Sequence, residues 1–174
     1  MKFLFPAIAI ILVLFSCNNP SYDNTARTAE QVPEKQNFFP VTSFLKGEIF
    51  NLKSRGINPL KYTTINNHTD SAWLKIEDLD AAVVEFLRPQ IDTANLTMLF
   101  TEKSFMDQSI DAVTLTYEPT GLLPDSMQLK QWFVYIDPTT NTVNRIYMVK
   151  DIDKARTLQL TWVSKKWCKI TTIT

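Results

Sequence analysis

The stretch that decides the fold lies near the middle of the chain and reads Val113-Thr114-Leu115-Thr116-Tyr117. Apolar and hydroxyl side chains alternate there, and a period of two residues is typical of a β-strand with one face in the core. Further segments of extended character follow at residues 129–136, 142–150, 157–163 and 167–173. Because short turns join them, such as the Pro- and Asn-containing segment 137–141, we expect consecutive strands to be antiparallel neighbours.

The chain before this stretch has helical rather than alternating spacing. A first helix is predicted from a cap at Thr42 or Ser43 to Arg55, with Gly56 as its C-terminal stop. A second is predicted over residues 77–87 and a third after Asp92, with Leu96, Leu99 and Phe100 facing inward. Residues 59–65 and 71–76 read as short extended segments around the polar turn 66–70.

These patterns predict an α+β fold. We expect a twisted antiparallel sheet of about five strands in the C-terminal half, with the N-terminal helices packed on one face. The segments between residues 59 and 76 are candidates for extending that sheet.

The N-terminus has the pattern of a signal peptide. Lys2 precedes about thirteen mostly apolar residues, 3–15, which suit a signal sequence but are short of the roughly twenty needed to span a bilayer. Leu14-Phe15-Ser16-Cys17 then resembles the bacterial lipobox, which implies lipid attachment to Cys17, palmitate included, and cleavage before it. We therefore divide the chain into a signal peptide (1–16), a lipidated and disordered tether (17–37) and one globular domain (38–174).

Two internal blocks carry a further resemblance. Residues 101–107 (TEKSFMD) and 132–138 (WFVYIDP), together with the N-terminal pattern, are similar to small lipoproteins of the Bacteroidetes, a family without an assigned activity. The resemblance implies a lipid-anchored protein of the bacterial cell envelope. We expect the outer membrane, with its periplasmic and outer faces as alternatives.

Charge and composition exclude several classes of function. Eighteen Lys and Arg residues balance eighteen Asp and Glu residues, so the chain lacks the excess positive charge of a nucleic-acid binder. Its three glycines are too scattered for a phosphate-binding loop. His68 is the only histidine, and no ligand-spaced pair accompanies it. We expect no nucleic acid, no metal and no cofactor.

Lipidation of Cys17 leaves Cys168 alone, and the alternating pattern around Cys168 predicts a small buried side chain.

Aromatic residues on the predicted strands are the candidate binding platform. They would either cover the core beneath the helices or form an exposed surface for glycans, peptides or lipids. The set comprises Trp132, Phe133, Tyr135, Tyr147, Trp162 and Trp167.

Separately, Ser71, Thr93 and Ser126 each follow an aspartate and precede an aliphatic residue, which resembles the O-glycosylation motif of Bacteroidetes.

No catalytic residue is predicted. Glu102, Asp107 and Asp111 lie close in sequence, and as paired carboxylates they would suit a hydrolase acting on glycan or cell wall. The alternative is that they are solvated or capping carboxylates. The first expectation is a membrane-anchored, non-enzymatic domain that binds a protein, peptide or glycan; the hydrolase and a protein inhibitor or immunity factor are the alternatives.

Overall fold

The computed structural model describes residues 37–93 and 95–174, which belong to one compact unit. The predicted signal peptide, Cys17 and all but the last residue of the tether lie outside the described residues. The elements in chain order are α1 (Val41–Ser54), β1 (Leu60–Ile65), β2 (His68–Trp73), a 3-10 turn (Ile76–Asp78), α2 (Leu79–Ala82), α3 (Val84–Leu87), β3 (Phe100–Asp107), β4 (Ala112–Pro119), β5 (Leu129–Ile136), β6 (Val143–Asp151), β7 (Thr157–Val163) and β8 (Trp167–Ile173). No helix within these residues has the length and hydropathy needed to cross a membrane.

The C-terminal half is a six-stranded antiparallel sheet in which consecutive strands are neighbours, β3-β4-β5-β6-β7-β8. The prediction of a mixed fold with an antiparallel sheet in this half is confirmed, with six strands rather than about five. The additional strand is β3. It is an edge strand with half of its residues exposed in one continuous run, so it lacks the alternation that marks a half-buried strand.

The predicted third helix is wrong, because residues 95–99 form turns that lead directly into β3. Asp92 and Asn95 hold this segment through reciprocal bonds, in which the carboxylate of Asp92 accepts from the Asn95 N–H at 3.0 Å. Leu96 and Phe100 are nevertheless buried, as predicted. Their inward positions arise from a turn and a strand start, which place apolar residues four apart much as a helix does.

Helix α1 packs on the sheet through Val41, Leu45 and Ile49, all of them buried. The predicted stop is confirmed, since the helix ends at Ser54 and Gly56 adopts a φ of +63°. The predicted caps are wrong. Thr42 lies inside the helix, and its buried hydroxyl accepts a hydrogen bond from the backbone N–H of Ile91 at 2.7 Å. This side chain thereby ties the start of α1 to the segment that follows α3.

The second predicted helix is broken into a 3-10 turn, α2 and α3. The break lies at Val83, whose φ of −111° and ψ of 11° depart from helical values. Two adjacent β-branched residues, Val83 and Val84, lower the helix propensity there. Residues at helical spacing still face inward across the break, with Leu79, Val83 and Phe86 buried in the core.

Strands β1 and β2 form a separate two-stranded hairpin, so they do not extend the main sheet. The turn consists of Asn66 and Asn67 alone, at φ values of 48° and 64°. Positive φ at both central residues defines the type I′ turn that joins antiparallel strands most tightly, and asparagine tolerates it well. Residues 68–70, predicted as part of the turn, belong to β2.

Candidate functional site

The six-stranded sheet has two chemically different faces. The helix face carries Tyr117, Trp132, Val134, Ile146, Met148, Leu160 and Trp162, which form one buried cluster with the residues of the helices. The opposite face, which we call the open face, contributes no residue to that cluster. It consists of Thr101, Lys103 and Phe105 on β3, Thr114 and Thr116 on β4, Phe133 and Tyr135 on β5, Arg145, Tyr147 and Val149 on β6, Gln159, Thr161 and Val163 on β7, and Trp167, Lys169 and Thr171 on β8.

Three half-buried rings, Phe133, Tyr135 and Tyr147, lie at the centre of the open face; we call them the aromatic cluster. The Phe133 centroid is 6.4 Å from that of Tyr135 and 5.9 Å from that of Tyr147. The guanidinium carbon of Arg145 is 4.0 Å from the Tyr135 ring centroid. Strand register explains these contacts, because Phe133 pairs with Tyr147 and Tyr135 pairs with Arg145. The result is a surface of preformed rings with the guanidinium of Arg145 stacked over the ring of Tyr135.

Hydroxyl groups surround the aromatic cluster. Thr114, opposite Tyr135, is buried, and its Oγ1 has no hydrogen-bond partner within the described residues. Thr116, opposite Phe133, donates to the carbonyl of Lys103 at 3.3 Å. Burial, and to a smaller extent the neighbouring Tyr135, raises the pKa of the Tyr147 hydroxyl. Tyr147 therefore stays neutral at physiological pH and can donate a hydrogen bond to a ligand.

The structure divides the six predicted platform residues between the two faces. Trp132 is 0% and Trp162 8% exposed, and both pack beneath the helices, so their assignment to a binding surface is wrong. Trp132 stacks on Tyr117 with ring centroids 4.5 Å apart, and Trp162 meets Phe86 edge-to-face at 5.4 Å. Neighbouring residues on a strand point to opposite faces, so Trp132 enters the core while Phe133 does not.

Trp167 lies at the edge of the open face, on the outer strand β8. It is exposed and pairs with Val163, which in turn pairs with Arg145. Trp167 is therefore two strands away from Arg145, in the same cross-strand row. This places it near the aromatic cluster but not in contact with its rings.

Two residues of consequence were not predicted from sequence. Arg145 lies on the same face as Tyr147 because the two are two positions apart on β6. This alternation is the feature of the sequence from which the position of Arg145 could have been predicted. Lys150 points into the core, as Ile146 and Met148 do, because all three lie at alternate positions of β6. It is almost completely buried. Its Nζ donates to both the carbonyl and the carboxylate of Glu85.

Glu102 and Asp107 of the predicted carboxylate group do not face each other, whereas Asp107 and Asp111 lie at either end of the β3–β4 turn. Glu102 and Asp107 lie five positions apart on β3, so they point to opposite faces and are about 17 Å apart along the strand. Paired hydrolytic carboxylates require about 5–9.5 Å. Asp107 accepts hydrogen bonds from the hydroxyl and N–H of Ser109, which lower its pKa. Asp111 occupies the β3–β4 turn at a φ of +48°. The described part of the chain holds no cluster of three potential metal-ligating residues.

The remaining candidates lie at the surface. Ser71, Thr93 and Ser126 are all exposed, on β2, after α3 and between β4 and β5 respectively. Their glycosylation stays a prediction. The expectation that Cys168 is buried is wrong, because the residue is exposed on the outer strand β8. Desolvation by the surrounding chain still raises the pKa of its thiol, which makes it a poor nucleophile at neutral pH.

In comparisons with known proteins, the chain matches no family model, no curated protein and no solved structure.

Proposed function

We propose that this protein is a lipid-anchored protein of the bacterial envelope whose domain binds a glycan, without catalysis, on the open face of its sheet. The observation that carries the proposal is the aromatic cluster, which no helix among the described residues covers, whereas Trp132, the remaining large ring on the central strands β5 and β6, is in the core. Burying an aromatic ring stabilises a fold, so a contiguous group of rings left at a surface commonly marks a binding site.

The chemistry around the rings favours a glycan over a purely apolar ligand. A sugar ring presents C–H groups on its faces, which pack on aromatic rings, and hydroxyls at its edge, which need polar partners. The Tyr135 and Tyr147 hydroxyls, Thr161 and the guanidinium of Arg145 all lie on this face, in adjoining register positions. Arg145 would hold a hydroxyl or an acidic substituent of the sugar beside the ring of Tyr135.

The lipid anchor is proposed from the sequence of the leader. The lipobox-like Leu14-Phe15-Ser16-Cys17 provides the attachment point, and the polar segment up to residue 37 provides about twenty residues of tether. A flexible chain of that length spans about 25 Å, which would hold the domain clear of the lipid headgroups. The separation of Glu102 from Asp107 removes one carboxylate pair that the hydrolase alternative would use.

The test is binding of the full-length protein in detergent to a panel of soluble neutral and acidic polysaccharides and peptidoglycan fragments, measured by affinity electrophoresis. We expect at least one member of the panel to retard the wild-type protein. Phe133→Ala and Tyr147→Ala should each weaken that retardation at least tenfold, because each removes a ring of the cluster.

Phe50→Ala is the matched control. Phe50 is an exposed aromatic residue on α1, and that helix packs on the helix face of the sheet, opposite the open face. The substitution should leave binding unchanged. Thermal unfolding of each variant verifies that the domain is folded. Absence of retardation by every polysaccharide, or equal loss in Phe50→Ala, would contradict the proposal.

A further inference from the structure

Within the described part of the chain, no hydrogen bond joins the strands of the β1–β2 hairpin to the six-stranded sheet. All six residues of β1 and all six of β2 are exposed, including Tyr62 at 66% and Trp73 at 73%. An isolated two-stranded hairpin is at best marginally stable in water, and three or more strands are needed for independent stability. The addition of further strands should therefore make the hairpin more stable.

The two-residue turn decides which backbone groups of the hairpin are free. Ile65 and His68 flank the turn and form its hydrogen-bonded pair, and such pairs then alternate along the ladder. The bond from the Leu74 N–H to the Pro59 carbonyl, at 2.9 Å, continues the alternation at the base. The N–H and C=O groups of Leu60, Tyr62 and Thr64 consequently point away from β2.

The two outer edges of the hairpin differ. On β2, the outward N–H of Ser71 already donates to the carboxylate of Asp70 at 2.7 Å, which closes that edge at its middle. On β1, no described residue accepts from the outward N–H groups of Leu60, Tyr62 or Thr64. No carboxylate of β1 accepts from its outward N–H groups, and its one charged side chain, Lys61, belongs to a residue whose backbone pairs inward with Ala72.

We propose that β1 pairs antiparallel with β1 of a second copy of this chain, about a two-fold axis that passes beside Tyr62. In this register Tyr62 faces the partner's Tyr62, and Leu60 faces the partner's Thr64. Each β1 residue whose N–H and C=O groups point outward thus faces another such residue of the partner. This gives about six hydrogen bonds and a four-stranded sheet.

The side chains also fit a second copy. Lys61 faces the partner's Thr63, so no like charges oppose each other. Leu60, Tyr62 and Trp73 lie on one face of the hairpin, and the two-fold axis joins them to the same residues of the partner in one apolar surface. A six-residue edge buries less than the ~800 Å² per partner of a standard interface, so the dimer is weak in solution.

Membrane confinement, which rests on the lipid anchor proposed above, would raise the population of the dimer. Strand pairing itself depends neither on the anchor nor on glycan binding.

Disulfide trapping in the full-length protein tests this pairing, in membranes and in detergent, in a Cys168→Ala background whose own dimer formation through Cys17 is measured and subtracted. Facing residues of a hydrogen-bonded pair have Cα atoms about 5.5 Å apart, within the range that a disulfide spans. Tyr62→Cys should therefore form covalent dimers on oxidation with copper phenanthroline. In the Lys61→Cys control the two cysteines would be about 8 Å apart, too far to be bridged. We expect at least fivefold more dimer from Tyr62→Cys than from Lys61→Cys on a non-reducing gel.

A second pair of variants tests the register independently. Leu60→Cys and Thr64→Cys chains, coexpressed with different tags, should form a mixed disulfide dimer, because residue 60 faces the partner's residue 64. Leu60→Cys alone should form none, since its two copies lie about 14 Å apart along the strands. Equal trapping at Tyr62 and Lys61, or no mixed dimer, would overturn the proposal, whereas loss of polysaccharide binding with trapping intact would affect only the proposed function.

Discussion

Replacing Glu85 by alanine would leave a buried cation without its carboxylate partner. Lys150 is 1% exposed, and its Nζ lies 2.6 Å from the Glu85 carboxylate and 2.7 Å from the Glu85 carbonyl. The Glu85 side chain is 39% exposed. The substitution removes the carboxylate, but the backbone carbonyl remains as one acceptor for the ammonium.

The expected cost follows from this geometry. Breaking a fully buried ion pair costs about 3–5 kcal/mol, because an uncompensated charge stays in the core. Water reaches the half-exposed side of this pair and one acceptor survives, so we expect about 2 kcal/mol. With a typical urea dependence of about 2 kcal/mol/M, the unfolding midpoint should fall by about 1 M.

Lys150→Met provides the contrasting variant. Methionine keeps most of the lysine volume and removes the charge, and the remaining carboxylate of Glu85 can turn to water. Replacing a buried ion by an apolar residue of similar size is often neutral or stabilising, so we expect a change of less than about 1 kcal/mol. Urea unfolding of residues 36–174, followed by circular dichroism, measures both. The reasoning would be refuted if Lys150→Met were the more destabilising of the two.

Four further outcomes are expected. Trp132→Ala should lower the free energy of unfolding by about 3–5 kcal/mol because it leaves a large cavity, whereas Phe50→Ala should change it by less than about 0.5 kcal/mol; urea unfolding compares them. Burial raises the pKa of Tyr117 far above its usual value. The stability contributed by the neutral side chain is therefore complete below about pH 10 and is lost as the pH rises further. The decrease in the free energy of unfolding at alkaline pH should be smaller in Tyr117→Phe. Cys168 should react with iodoacetamide at pH 7 more slowly than a free cysteine does, and equal rates would argue against the raised pKa of its thiol. Cys17→Ser should abolish labelling by radioactive palmitate, and a wild-type protein that takes up no label would remove the basis for the anchor.

The strands that were predictable from sequence are those with one face in the core. On β6 and β7 the apolar residues alternate because the side chains of the helix face are buried and those of the open face are only partly buried. On β4 the small Thr114 and Thr116 of the open face are buried as well. β3 was missed because its exposure on the sheet edge removes that alternation. The helix after Asp92 was mispredicted because a turn followed by a buried strand start imitates helical spacing.

The aromatic cluster could be predicted only as part of a larger set. On β5, Trp132 and Phe133 are adjacent and both are large and apolar, so the sequence does not reveal which of them faces the core. The answer depends on where the helices pack, which is a tertiary property. The isolation of the hairpin depends on tertiary structure as well, since the residues of β1 and β2 would suit an added pair of strands in the main sheet equally well.

The central claim is that the open face contacts a glycan in the cell envelope, and site-specific photo-cross-linking tests it most directly. Benzoylphenylalanine is placed at Phe133 in the full-length protein in living cells, and at Phe50 in the control. On irradiation we expect an adduct from position 133 that periodate or glycosidase treatment degrades, and no such adduct from position 50. No glycan adduct at position 133, or the same adduct at both positions, would contradict it.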